Sequence, residues 1–198
     1  MNRFVKQPKT KRGEVTLERI VKAGEECFLK KGYHGSSIND ITSTAEVAPG
    51  TFYIYFEDKL SLYKHLLVHY SHDIRKYIAL RLKEAGATTR KDAERVGLRA
   101  FLEYIQEHKS MYNIIWESLY IDKKLFIDYY TEFGKNYARH IQEAIGEGQL
   151  KPHNAEVVAY MLMGISNFIG LNYVMFKETE NFDPVVDEVI EILDKGLF

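Results

Sequence analysis

Between Pro49 and Pro152 the chain runs for roughly a hundred residues without a proline. Proline removes a backbone donor and breaks helix interiors, so nothing in this stretch interrupts long helices. Apolar residues recur there at helical spacing, with no convincing alternating strand and no internal repeat. The chain is therefore expected to be all-α. Its 198 residues, 45% of them hydrophobic, suffice for one elongated domain or two small ones.

Helix boundaries follow from local signals. Ile20, Gly24, Cys27 and Phe28 share a face of a first helix over about 16–31, and Gly32 fits the left-handed residue that ends it. Ser37 and Asp40 have the spacing of a capping box, with Asp in place of the usual Glu or Gln, which starts a short second helix ending near 44–45. Pro49 suits the first position of a third. Further helices are expected over 58–82, 90–108, 110–119, 122–146, 154–177 and 184–196.

The third helix lies in the stretch APGTFYIYFEDK, residues 48–59. Phe52 and Phe56 are four apart and share one face, so they can anchor the helix to the first two. Gly50 permits close approach of another backbone. The hydroxyl of Thr51 and the phenols of Tyr53 and Tyr55 are left to point elsewhere. Two short helices joined by a tight turn after a longer one form a helix-turn-helix, whose second helix enters a DNA major groove. Tyr53 and Tyr55 would then donate to phosphate oxygens, and Lys59 would add a charge beyond them. An aromatic microcore alone accounts for the phenyl rings but leaves both phenols unused.

Net charge is near zero, but Arg3, Lys6, Lys9, Lys11 and Arg12 occur without an acid in residues 1–12. This segment is expected to be a basic disordered arm, either simply solvated or supplying phosphate contacts. Cys27 is the only cysteine and reads as a small buried hydrophobe. With no oxidising compartment indicated and no apolar signal core, a cytoplasmic protein is expected. The uncharged run 157–176 is long enough to cross a membrane. Ser166, Asn167, Asn172 and two glycines argue instead for a helix packed on both sides within protein, and no membrane partner is expected.

His65, His69 and His72 form a row with the spacing of metal ligands, but they lie opposite the apolar face of their helix and Lys76 continues the row. A solvated stripe is expected, without metal or cofactor. The chain also lacks a nucleophile–base pair, a metal signature and a phosphate loop, so an enzyme is not expected.

The run GYHGSSINDITSTAEVAPGTFYIYFEDKLSLYKHL, residues 32–66, resembles the TetR family of bacterial repressors. The shared pattern comprises Gly32 and Tyr33, Ser36 and Ser37, Asp40 and Ile41, Gly50 to Tyr53, Phe56 and Lys59. The resemblance implies base-edge contacts around Ala48, Pro49, Gly50 and Thr51, and backbone contacts from Tyr53, Tyr55 and Lys59. It places Ser37 and Asn39 near phosphate or a base. Two positions depart from the pattern: Glu46 stands where the turn usually has Gly, and Ala48 where a Ser or Thr usually caps the recognition helix.

The resemblance further implies a three-helix DNA-binding domain over 13–60 and a helical ligand-binding and dimerisation domain over 61–198. In such a dimer the last two helices of each subunit pair into a four-helix bundle. Met161, Gly164, Ile165, Phe168, Leu171, Val185, Val189 and Ile192 are the expected interface. A pocket for an apolar or aromatic effector is expected among Phe101, Tyr104, Tyr112, Asn113, Trp116, Tyr120, Tyr130, Asn167 and Phe168. Three functions fit: an operator-binding repressor released by that effector, a constitutive DNA-binding dimer, and a helical enzyme retaining the motif as structure.

Overall fold

The computed structural model describes residues 4–196, in which the regular structure is helical and no strand occurs. The helices are α1 (Lys11–Gly35), α2 (Ile38–Thr44), α3 (Pro49–Tyr55), α4 (Lys59–Ala85), α5 (Arg90–Glu107), α6 (Ser110–Ile121), α7 (Lys123–Gly146), α8 (Ala155–Gly170) and α9 (Asp183–Gly196). A π-helical turn, Leu171–Phe176, continues α8. Arg3 of the expected arm lies outside the described residues.

The chain divides into two compact units. One comprises residues up to 71 together with 110–129, and the other comprises 72–109 and 130–198. The expected boundary at residue 60 is not the one observed, because the first turns of α4 and the whole of α6 join the N-terminal helices. Helix α6 buries Met111, Ile114 and Ile115 and packs on α1. Its Glu117 carboxylate accepts the backbone N–H of Tyr33 at 2.7 Å. That amide is oriented by Gly32 at φ +69°, where α1 turns, and a Cβ there would meet the Glu117 carboxylate at 2.8 Å.

Ile20, Phe28, Ile41, Phe52, Phe56, Leu62, Tyr63 and Leu66 are almost fully buried in the first unit. Burying each of these side chains contributes about 1.5–3 kcal/mol, and this apolar core holds the short helices α2 and α3, which could not persist alone. The capping box at α2 is present: the amide of Asp40 donates to Ser37 Oγ at 3.0 Å and the amide of Ser37 donates to the Asp40 carboxylate at 2.8 Å. Lys31, bonded to Asp40 at 2.5 Å, and Ser37 together hold that carboxyl well below its usual range. Cys27 is buried.

In the second unit α5 packs on α8 and α9. Ion pairs Lys91–Asp194, Arg95–Asp187 and Arg99–Asp183 run in opposite directions along the two sequences, so α5 and α9 are antiparallel. Arg90, Glu94 and Tyr137 form a hydrogen-bonded group: the guanidinium and the phenol both donate to the carboxylate. Burial pushes the Tyr137 phenol well up. Val185 and Val189 face this core, at 7% and 8% exposure, so the expectation that they form an intersubunit stripe is corrected. Periodicity identified an apolar face on α9, and α5 covers it.

Candidate nucleic-acid interface

Helix α3 hangs from Phe52 and Phe56, both fully buried, with ring centroids 5.5 Å apart. Its opposite side is open: Ala48, Pro49 and Gly50 are exposed, Thr51 is half-buried, and Tyr53 is 52% exposed. Ser37 and Asn39, at the start of α2, are also exposed. These seven expected residues therefore remain available at the surface of α2 and α3. Ile54, 61% exposed beside Tyr53, extends the open side and was not anticipated. Its signal was present in the sequence, since a residue between two tyrosines and off the Phe52–Phe56 face has no core position left.

Ala48 supplies no side-chain cap to α3. Glu46, in the turn, adopts φ +51°, the left-handed conformation glycine would take without cost. Arg19 donates to both the carbonyl and the carboxylate of Glu46, at 3.2 and 3.1 Å, and fastens the turn to α1. The turn thus accommodates its side chain without changing the motif.

Two expected outward contacts point inward. Tyr55 is buried at 6% exposure, and its phenol oxygen lies 3.5 Å from where a Cβ on Gly13 would stand. It packs against the beginning of α1, an element 42 positions earlier that periodicity within α3 does not register. Lys59 is half-buried, and its ammonium donates to the carbonyls of Tyr33 and Ser36 at 2.6 Å each while lying 4.2 Å from the Tyr33 ring centroid. Burial lowers its pKa, partly offset by the nearby Glu117 carboxylate. The lysine satisfies carbonyls at the end of α1 and so sets where α2 begins.

Of the expected solvated histidine stripe, His69 and His72 are exposed and His65 departs. His65 is half-buried, 5.6 Å from the Phe56 ring and 6.2 Å from the parallel His69 ring. Burial, and secondarily His69, pushes its pKa down to about 4. Among the described residues no cluster of His, Cys, Asp or Glu is arranged to hold a metal ion.

The aromatic residues expected to line a pocket are divided between the two units. In the first, Tyr112 is buried, Asn113 and Trp116 are exposed, and Tyr120 is 83% exposed. Tyr120 stands in solvent because its position on α6 lies away from the Met111–Ile115 face. In the second, Tyr104 is buried and Phe101 half-buried. The Tyr130 hydroxyl reaches the Asn167 side chain at 3.5 Å, and burial pushes this phenol up to about 12. Phe168 is 65% exposed. It continues an open apolar stripe on α8 with Val157 and Met161, at 63% and 48% exposure. Gly164, Ile165 and Leu171 are half-buried, and a Cβ on Gly164 would meet nothing within 4 Å. On α9, Ile192 is 64% exposed.

Residues 20–66 match the family described as bacterial regulatory proteins, tetR family. The chain is 37% identical over 69 residues to the transcriptional repressor DhaR of Mycobacterium sp. strain GP1, a match spanning 35% of each protein. It is 28% identical over 82% of each chain to the Tn10 TetC protein of Escherichia coli. Its fold is that of the fatty acid degradation regulator FadR from Bacillus halodurans, with a TM-score of 0.79, 17% identity, and 94% and 96% of the two chains covered. With the capped α2, the turn at Glu46 and the outward face of α3 in place, residues 20–66 are similar to the helix-turn-helix segment of the tetR family of bacterial regulatory proteins.

Proposed function

We propose that the chain is a DNA-binding transcriptional regulator, acting as a homodimeric repressor released from a near-palindromic operator by a small molecule. The observation that carries this reading is the division of α3: Phe52 and Phe56 are fully buried, while Pro49, Gly50 and Tyr53 stand in solvent. A two-turn helix anchored on one side is suited to lie in a major groove, with Pro49, Gly50 and Thr51 nearest the base edges. Tyr53 donates to phosphate, as do Ser37 and Asn39 at the start of α2. Lys59 acts through the loop it braces.

The open stripe of α8 supports the dimer. Ala155–Phe176 is long and apolar enough to cross a membrane, and 33% of its most apolar window is buried in the chain. A second copy covers Met161, Gly164, Ile165, Phe168 and Leu171, with Ile192 of α9 at the edge; exposed apolar patches of this kind mark protein contacts. Twofold symmetry then sets the spacing of two recognition helices. The effector is apolar or aromatic, and Tyr130 and Asn167 offer it a hydrogen-bonding pair. Release requires that it bind one conformation of the dimer better than the other.

Selection of duplexes by the full chain from a random-sequence pool tests the reading. The enriched sequence is expected to be a near-palindrome, and its affinity to fall steeply with salt, by about 0.9 logarithmic units per released phosphate contact for each decade of salt. Failure to enrich any duplex, with the chain folded, would overturn it.

A further inference from the structure

The basic segment before α1 is fixed in place at successive positions. The Lys64 ammonium lies 5.8 Å from the Phe4 ring centroid. Val5 is buried at 8% exposure. The N–H of Lys6 donates to the carbonyl of Tyr55, in the last turn of α3, at 2.8 Å. Pro8 lies against Gly13, 2.9 Å from where a Cβ on that glycine would be. The Thr10 side chain accepts the amide of Gly13 at 3.1 Å and caps α1, which begins at Lys11 rather than at Thr16. Residues 4–10 are therefore an ordered strap across the end of the recognition helix, not the disordered arm expected from composition. Buried Tyr55 serves as its post.

The strap holds its cations outward. Lys6, Lys9, Lys11 and Arg12 are all exposed. Lys11 and Arg12 occupy the first turn of α1, where the helix dipole disfavours positive charge. Stability of the helix does not explain two cations there, whereas an anionic partner does. The backbone of Lys6 is one hydrogen bond from the end of α3. A segment tied to that end lies at the rim of whatever groove the helix enters, where the phosphate backbone passes.

We propose that this strap is a second DNA-contacting element, in which Lys6 and Lys9 bind the phosphates flanking the major groove and do so without reading sequence. The proposal rests on the DNA-binding reading above and adds a contact set outside the helix-turn-helix. The buried post matters as much as the charges: Val5 and the Tyr55 carbonyl hold the cations at a fixed distance from α3, so little ordering remains to be done on binding.

The test uses the full chain, a duplex it selects from a random pool, and a mixed-sequence duplex of equal length, with affinities measured by fluorescence anisotropy across a salt series. For Lys6→Ala combined with Lys9→Ala, affinity is expected to fall by the same factor on both duplexes. The salt slope should drop by about 2 per strap engaged, with the melting temperature unchanged. Val5→Asp keeps both lysines but removes an anchor, and should weaken binding to the selected duplex while circular dichroism shows an intact helical fold. Wild-type binding with an unaltered slope in the double variant would overturn the proposal and leave the DNA-binding reading standing. So would full affinity in Val5→Asp. A wild-type chain that selects no duplex overturns both.

Discussion

Helix α3 exposes Tyr53 and Ile54, and helix α8 exposes Val157, Met161 and Phe168. Around α3 lie an ordered strap bearing exposed lysines and the open starts of two helices, and its exposed aromatic carries a hydroxyl. Along α8 no charge occurs between Glu156 and Lys177. Both regions leave apolar atoms in water, but only the first surrounds them with donors and cations. Exposed apolar area alone therefore does not identify a partner. Under the reading proposed above, the exposed cations of the strap turn one face to nucleic acid, and the uncharged stripe turns the other to a second copy of the chain.

The largest effect that could break this contrast is on α8. Phe168→Glu places a charge in the middle of the proposed subunit interface but at a position already in solvent within one chain. It is expected to yield a folded monomer by analytical ultracentrifugation. DNA affinity should fall on the order of 100- to 10,000-fold, because two half-sites are no longer held by two linked copies of α3. A dimer that persists would remove the stripe from the interface.

In the first unit, two tyrosines two positions apart in sequence, Tyr53 exposed and Tyr55 buried, sharpen the contrast. Tyr55→Ala should destabilise the fold by about 3 kcal/mol or more in urea unfolding, because it empties a core position against the start of α1. Tyr53→Ala should leave unfolding nearly unchanged and weaken operator binding by about 1.5–3 kcal/mol, the value of a hydrogen bond to a charged group. Equal effects from the two variants in either assay would erase the distinction between post and contact.

That distinction was only partly legible in the sequence. Ser37–Asp40 could be read because both partners lie within one turn, and Phe52–Phe56 because four residues bring side chains onto one helix face. The inward turn of Tyr55 depends on Gly13, that of Lys59 on carbonyls of Tyr33 and Ser36, and the recruitment of α6 on Glu117 meeting the Tyr33 amide. None of these has a local signature. The same limit applied to α9, where an amphipathic pattern gave an apolar face for Val185 and Val189 but not its partner. Composition marked residues 1–12 as basic, while the order of the strap comes from single contacts by Val5 and the Lys6 amide, which composition does not register.

His65 shows how burial changes a residue that composition would place in solvent. The folded chain holds its imidazole neutral down to about pH 4, whereas the ordinary value for an imidazole ring is 6.5. Between these values the unfolded chain takes up a proton that the folded chain does not. Protons therefore favour unfolding there: the first unit loses stability as pH falls from 6.5 towards 4, with no contribution from this group above that window. Partial exposure of the ring screens the effect. Thermal melts of wild type and His65→Phe across pH 4–7 should converge or cross towards low pH, with the wild type showing the steeper decline. Parallel curves would mean that Phe56 does not hold the ring away from protons.

The smallest expected effect lies in the turn. Glu46 holds φ +51°, a conformation that costs a residue with a Cβ about 1–2 kcal/mol. Glycine removes that cost but adds freedom to the unfolded chain, worth about 0.5–1 kcal/mol. It also deletes an exposed ion pair with Arg19 worth about 0–1 kcal/mol. These terms oppose each other, so Glu46→Gly should shift stability by less than about 1 kcal/mol in either direction. Glu46→Ala loses the same ion pair and keeps the strain, and should be less stable than Glu46→Gly by about 0.5–1 kcal/mol in urea unfolding. The Arg19 bond to the Glu46 carbonyl survives both changes, which keeps the turn seated on α1. If the alanine variant equals or exceeds the glycine variant, the turn relaxes out of the left-handed region once the carboxylate is gone, and it is the Arg19–Glu46 pair, not the path of the backbone between α2 and α3, that imposes this conformation.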